Sequence, residues 1–264
     1  KNIYTLDEIN SNNNINKTRG FHNLIYVQRQ AGLRNMFELV SDANTKDYQM
    51  EPRVVKSNLE RLRSDLILVG AGCSKSEIVN AYLNFSHDGL VKTICQFDYV
   101  ELLPTSQHYD LINNETFSDF SQIIDMQKTI YQIASENGIK VLANGNVHYT
   151  EPSLALIKEV LVGKDYKPAK LKKNDDGIEV AIDKIKFKKW QMQNKVKNED
   201  QFFKTTEEMF EQFSHFDQNI IKEIVVTNTN EFADQMEEIK IIPDDLYTPE
   251  IDGVDDKLVE MVNE

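Results

Sequence analysis

The chain alternates short apolar runs with helix-like segments, and this alternation constrains its fold more than any other feature. Each apolar run has the length and β-branched content of a buried strand, and helical spacing of apolar residues follows it. Apolar strands that alternate with amphipathic helices indicate a parallel sheet with helices outside it, an α/β fold. The four apolar runs are residues 24–27, 66–69, 99–103 and 141–143.

Several helices have specific signals in the sequence. Ser74 and Glu77 fit a capping box that opens a helix after the second strand. Asn137 and Gly138 predict the end of a helix over 118–137, because glycine accepts the left-handed conformation at that place. The apolar faces predicted for two helices are Leu33, Met36, Phe37 and Val40, and then Ile123, Met126, Ile130 and Ile133.

Breaks in the alternation divide the chain into segments. Residues 1–20 are polar and predict a linker, and residues 163–203, with a turn at Asp175–Gly177, predict an insertion. A second capping box, Thr205 with Glu208, opens a final helical part. The predicted segments are 1–20 (linker), 21–162 (main α/β part), 163–203 (insertion), 204–246 (C-terminal helices) and 247–264 (exit segment).

Charge and cysteine content restrict the partners and the compartment. The net charge is −13, and an acidic chain binds the nucleic-acid backbone poorly because such binding needs clustered Lys and Arg. The one basic stretch, 184–197, is interpreted as a solvated surface element. No apolar run is long enough to cross a bilayer, so no membrane partner is expected. Two cysteines are too few for a disulfide framework, and a cytoplasmic location is expected.

Three candidate positions for chemistry follow the predicted strands, at whose carboxyl ends α/β proteins collect their ligands. The first is the turn 70–73, which ends in Cys73, where a nearby helix N-terminus would favour the thiolate. The second is the turn 144–149, in which Asn146 and His148 are two residues apart and share one side of an extended backbone. The third is Glu101, either a partner of a metal or histidine or a surface carboxylate.

Alternatives remain open for each of these residues when the sequence is considered by itself. Cys73 fits a small buried apolar residue as well as it fits a ligand. His148 fits a metal or catalytic role, whereas His22 opens its strand and is interpreted as structural or exposed. The remaining assignments are surface positions for His87, His108 and His215 and a core position for Cys95.

Several stretches, taken in order, resemble one protein family. They are FHNLIYVQRQAGLRNMFELVSDANT (21–45), EPRVVKSNLERLRSDLILVGAGCSKSE (51–77), FDYVELLP (97–104), IKVLANGNVHYTEP (139–152), FFKTTEEMFEQFSHF (202–216) and EIVVTNTNEFADQMEEIKIIPDDLYTPEIDG (223–253). This ordered set resembles the later part of the PHP (polymerase and histidinol phosphatase) domain in PolC-type bacterial DNA polymerase III alpha subunits.

The resemblance implies a fold and a ligand set. The fold would be part of a distorted (β/α)7 barrel with parallel strands and outer helices, followed by C-terminal helices and a connection toward the polymerase palm. His22, Cys73 and His148 match three metal-ligand positions, and Asn146 matches a fourth that is usually Asp. The implied metal is Zn or Mn, with Mg serving the parent polymerase. The family's opening His-x-His motif, exonuclease carboxylates and palm aspartates are absent from this sequence.

The resemblance also implies a function and partners. The chain would be a segment of a replicative polymerase, with the palm, thumb and exonuclease as partners and DNA bound through the parent protein. Other replication proteins could dock on the basic insertion. The implied role is metal-binding and structural rather than polymerising; the alternative is a metal-dependent phosphoesterase or pyrophosphatase of the PHP superfamily.

Overall fold

The computed structural model describes residues 2–4, 20–48, 52–64, 66–155, 157–158, 172–173, 179–180, 200–242 and 253–263. Among these residues, no helix has both the length and the apolar character that a membrane span requires. The strands are β1 (Asn2–Tyr4), β2 (Phe21–His22), β3 (Leu24–Val27), β4 (Val54–Val55), β5 (Ile67–Ala71), β6 (Tyr99–Leu102), β7 (Lys140–Ala143), β8 (Lys172–Lys173) and β9 (Glu179–Val180).

Helices separate these strands and continue after them. The helices are α1 (Leu33–Asn44), α2 (Lys56–Leu62), α3 (Glu77–Asn84), α4 (His87–Ile94), α5 (Tyr109–Asn113), α6 (Phe120–Glu136), α7 (Thr206–Gln212), α8 (Gln218–Lys222), α9 (Asn228–Asp234) and α10 (Val254–Asn263). A π-helical turn, Glu223–Thr227, joins α8 to α9.

The main sheet has four strands in the order β3-β5-β6-β7, which confirms a mixed α/β fold. β5, β6 and β7 are parallel, with Gly70 opposite Tyr99 and Leu102 opposite Ala143. β3 is antiparallel to β5, so the prediction of parallel strands is wrong for the first strand. β3 lies at the edge of the sheet, where Leu24 and Tyr26 stay exposed, and a half-exposed edge is typical of antiparallel pairing. The barrel itself stays a prediction.

Two smaller sheets complete the strand pairing. β1 pairs with β2 and β4, so part of the segment predicted as a linker, residues 2–4, forms a strand. β8 pairs antiparallel with β9 inside the predicted insertion. Its basic stretch, 184–197, lies outside the described residues.

The core lies between the main sheet and its helices. α6 confirms its predicted face, since Ile123, Met126, Ile130 and Ile133 are all buried, and Gly138 ends the helix region with a φ of +70°. The face predicted for α1 is wrong: Phe37 and Val40 are exposed, and Leu39, Asp42 and Ala43 are buried instead. α1 packs against β4 and α2, and these neighbours select a different side of the helix.

Helix caps explain where two of the helices begin. The capping box of Thr205 and Glu208 is confirmed at α7. The one predicted at Ser74 and Glu77 is wrong, because Ser76 caps α3 by accepting the Val79 N–H, and Ser74 bonds elsewhere.

The C-terminal helices cover the free edge of β7. The side chain of Asn228 in α9 donates to the backbone carbonyl of Val141 in β7 at 2.8 Å, in a buried position. Lys140 pairs with Glu231 at 2.8 Å at the same edge. These contacts satisfy part of an edge that would otherwise be open to pairing with another chain.

Candidate functional site

The carboxyl ends of β5, β6 and β7 lie side by side, and the predicted candidate residues follow these ends. The turn 72–76 follows β5, residues 105–110 lie beyond β6, and the turn 144–149 follows β7. Since the three strands are parallel and adjacent, their loops form one edge of the sheet. Polar side chains from all three loops occur at this edge.

The Cys73 turn is held from two sides. The backbone N–H of His22, in β2, donates to the carbonyl oxygen of Lys75 at 3.0 Å, which places His22 beside this turn. The Ser74 hydroxyl donates to Asp110 Oδ2 at 2.7 Å. Glycine at position 72 is required by close packing, because a Cβ there would lie 2.1 Å from the carbonyl oxygen of Glu101. The sequence therefore places Cys73 on a turn with little freedom.

The Cys73 thiol differs from the expectation that a helix N-terminus would favour the thiolate. Burial raises the pKa of this thiol and outweighs the lowering by the backbone hydrogen bond from Lys75; the Asp110 and Glu101 carboxyl groups also raise it, and the Lys75 charge lowers it. α3 begins at Glu77, four positions beyond Cys73, which leaves the sulfur outside the first turn of the helix.

The turn 144–149 is fixed by residues 201–203, at the C-terminal end of the predicted insertion. The His148 N–H donates to the Gln201 carbonyl at 2.8 Å, and the Phe203 N–H donates to the Tyr149 carbonyl at 3.0 Å. Tyr149 is buried, whereas Asn146 and His148 are exposed. The backbone of the turn is thus anchored while the two candidate ligands remain accessible.

Both candidate histidines favour the neutral form. Partial burial lowers the pKa of His148, and Lys158 lowers it further. His22 behaves likewise, with Lys75 as the second cause of its lowered pKa. A neutral imidazole is the form that binds metal, so both side chains have the protonation state that a ligand needs.

The donor atoms of the predicted ligands are of types that bind transition metals. Imidazole and thiolate donors fit Zn, and an Asn oxygen is a weaker addition to such a set. The structure brings His22 next to the Cys73 turn and places Asn146 and His148 together on the other turn. Within the described ranges, no group of three or more His, Cys, Asp or Glu side chains is arranged to hold a metal ion. The ligand set of the resemblance stays a prediction.

Glu101 is buried at 3% exposure, which excludes one of its two alternatives, the surface carboxylate. It lies inside β6, between the two turns. Burial raises the pKa of its carboxyl from 4.5 to about 7, and a hydrogen bond from the Asn144 side chain opposes that rise. A carboxyl of this kind at a strand end is typical of functional sites.

The structure adds residues that the sequence did not single out. His108 was expected at the surface but is 1% exposed, and burial lowers the pKa of its imidazole from 6.5 to about 4. Gln107 is also buried, and Asp110 bonds the Cys73 turn. These residues form a compact Gln-His-x-Asp motif, whose only signal in the sequence is its position soon after β6.

Two further assignments from the sequence change. Cys95 was expected in the core but is exposed; it directly follows Ile94, the buried last residue of α4. His215 is half-buried and bonds Gln127 Oε1 at 3.0 Å through Nε2, so it is not a surface residue. His87 is exposed, as expected.

Comparison with known proteins gives a consistent result along nearly the whole chain. The chain is 31% identical to a protein of Listeria welshimeri named "DNA polymerase III PolC-type" over 245 residues, or 93% of the chain. Proteins of the same name from Streptococcus pyogenes and Streptococcus suis are 30% and 29% identical over 99% and 98% of it. This chain matches a segment of the PolC-type DNA polymerase III family. The resemblance to PolC-type proteins is thereby confirmed, and its assignment to the PHP domain stays a prediction.

The match covers a limited part of the relatives. The chain spans 15% of the Listeria protein and 17% of each of the two streptococcal proteins. No protein-family model matches the chain. The polymerase activity in the relatives' names therefore belongs to proteins about six times as long as this chain.

Proposed function

We propose that this chain is a segment of a DNA-replicating polymerase and serves there as a metal-binding, structural part of the PHP domain. The observation that carries the proposal is the match to PolC-type proteins along 93% to 99% of the chain. The parent protein would supply DNA synthesis with Mg, the exonuclease and the contacts to DNA. Palm, thumb and exonuclease would be the partners of this segment, and the location would be the cytoplasm.

The arrangement of the site supports a structural role. The turns that carry His22, Cys73, Asn146 and His148 are each fixed by backbone hydrogen bonds. A metal bound by these side chains would link the end of β5 with the end of β7 and with β2. Such a link would stabilise the edge of the sheet without contact with a growing DNA strand, because bound metal contributes directly to folding free energy.

The test uses the natural gene product that carries this segment. We expect purified protein to contain bound Zn or Mn, which His148→Ala would lose and which His87→Ala, a change of an exposed histidine in α4, would retain. Primer extension should persist in His148→Ala at low temperature, with a reduced melting temperature. A gene product that cannot extend a primer would contradict the polymerase assignment. Loss of primer extension in a folded His148→Ala protein would contradict the structural role.

The buried Glu101 favours a second candidate, a phosphoesterase or pyrophosphatase site. A carboxyl with a pKa of about 7 is suited to proton transfer at neutral pH, and it lies at the same edge as the candidate ligands. This candidate predicts Mn-dependent hydrolysis of pyrophosphate that both His148→Ala and Glu101→Gln abolish. Hydrolysis that persists in both variants would come from another site.

A further inference from the structure

The segment between β6 and α6 contacts both turns that carry the candidate ligands. Gln107 is 5% exposed, and each end of its amide makes one hydrogen bond. Its Oε1 accepts the backbone N–H of Asn146 at 2.7 Å, and its Nε2 donates to the backbone carbonyl of Asp200 at 3.0 Å. One side chain thus joins the β7 turn to the C-terminal end of the predicted insertion.

Three positions further along, Asp110 makes the corresponding contact on the other side. Its Oδ2 accepts the Ser74 hydroxyl at 2.7 Å, next to Cys73 in sequence. Its Oδ1 is buried and has no hydrogen-bond partner among the described residues, and the same holds for His108 Nδ1. Asp110 Oδ1 thus faces the protein interior, while the residue as a whole is half-buried.

Because these groups are shielded from water, the loss of one of their hydrogen bonds costs free energy. A buried amide that loses its partners retains the desolvation penalty, about 1–3 kcal/mol for each unsatisfied group. Gln107 therefore favours the backbone position at which both Asn146 and Asp200 satisfy it. The hydrogen bond between Ser74 and Asp110 is part-buried, so the same argument applies to it with less weight.

We propose that Gln107 and Asp110 are positioning residues, which hold the Cys73 turn and the Asn146–His148 turn at a fixed separation. We call this pair the bracket. Neither residue is a ligand in the proposed set; each acts on the backbone or side chain next to one. This inference rests on the proposed function, since it concerns the geometry of the same metal ligands. Outer residues of this kind typically change metal affinity roughly tenfold to a hundredfold when they are removed.

The first experiment measures Zn²⁺ affinity in the natural gene product and in four variants. Gln107→Met removes both hydrogen bonds with little change in volume, and Asp110→Ala removes the acceptor for Ser74. Asp110→Asn keeps an oxygen that can accept the Ser74 hydroxyl. Gln127→Met is the matched control, because Gln127 is also buried and also joins two elements, through Leu103 and His215.

We expect Gln107→Met and Asp110→Ala to bind Zn²⁺ roughly tenfold to a hundredfold more weakly. Asp110→Asn and Gln127→Met should bind it as the unmodified protein does. If Asp110→Asn weakens binding as much as Asp110→Ala, the charge of Asp110 matters and its positioning role is wrong. If Gln127→Met weakens binding as much as Gln107→Met, the effect is general destabilisation and the bracket is wrong.

A second measurement needs no metal and separates the bracket from the proposed function. Amide hydrogen exchange in metal-free protein should accelerate over residues 144–149 in Gln107→Met and over residues 72–76 in Asp110→Ala, and should not change in these turns in Gln127→Met. Unmodified protein that binds no Zn²⁺ would contradict the proposed function alone. Unchanged exchange in both turns would contradict the bracket, whether or not metal binds.

Discussion

Replacement of Glu101 by glutamine should stabilise the segment at neutral pH, relative to the unmodified chain. At acidic pH the same replacement should change the stability little. Glu101 lies in β6 at 3% exposure, and Gly72 packs closely against its backbone. Burial disfavours the charged carboxylate and raises its pKa from 4.5 to about 7. Glutamine has nearly the same shape, stays neutral and keeps an oxygen that can accept the hydrogen bond from Asn144.

The sign and size follow from the two pKa values. Between pH 4.5 and about 7 the folded protein keeps the Glu101 proton while the unfolded chain has released it. Stability contributed by this group is therefore complete below pH 4.5 and is lost as pH rises through the folded pKa. At about 1.4 kcal/mol per pH unit, the loss amounts to about 3 kcal/mol. Glu101→Gln should avoid this loss.

Urea unfolding of the purified segment, with a chelator present to remove metal, measures the effect. The difference in unfolding free energy between Glu101→Gln and the unmodified chain should be small at pH 4.5 and should grow by about 3 kcal/mol by pH 8. Glu60→Gln, a change of an exposed glutamate in α2, should show no such growth. A constant difference between Glu101→Gln and the unmodified chain across this range would refute the argument from burial.

Three further predictions test other parts of the structure by urea unfolding. The unmodified protein should lose about 3 kcal/mol of unfolding free energy as the pH falls from 6.5 to 4, because the unfolded chain binds a proton that the buried His108 does not bind until about pH 4. His108→Gln should abolish this loss. An equal loss in His108→Gln would refute the argument. Gly72→Ala should destabilise by about 1–3 kcal/mol, and Gly145→Ala, whose Cβ would lie 3.2 Å from Val147 Cγ2 as its one close neighbour among the described residues, by less. Thr205→Ala should lower the unfolding free energy by about 1 kcal/mol and Thr205→Ser by much less, because serine keeps the capping hydroxyl. Equal unfolding free energies for Thr205→Ala and the unmodified chain would show that the capping box does not stabilise α7.

The sequence predicted elements whose signals are local. The strands at 24–27, 67–71, 99–102 and 140–143 follow from apolar runs, and α6 follows from its spacing and its glycine stop. The capping box at Thr205 was found because both of its hydrogen bonds join residues three positions apart. Each of these features is determined by interactions within one segment of chain, which a sequence pattern can express.

The direction of β3 and the buried face of α1 were not predicted correctly, because both depend on distant partners. An apolar run such as Leu24-Ile25-Tyr26-Val27 reads the same whether its neighbour is parallel or antiparallel. The alternating exposure of β3 would distinguish the two, but all four of its residues are apolar and the pattern stays hidden. The apolar Phe37 and Val40 are likewise exposed because α1 packs through Leu39 and Ala43.

The residues between the candidate turns could not be found without the order of the strands. β6 lies between β5 and β7, so the loop that follows β6 is adjacent to both ligand turns. From that loop the buried Gln107 contacts the turn after β7, and the half-buried Asp110 contacts the turn after β5. In sequence these residues lie more than thirty positions from the atoms that they contact, and nothing local distinguishes them from ordinary loop residues. The same topology explains why Glu101, in a strand with neighbours on both sides, is buried away from solvent. The middle strand β6 and its following loop thus supply the buried Glu101 and the groups that contact the candidate turns, while its neighbours β5 and β7 lead into the two turns that carry Cys73 and the Asn146–His148 pair.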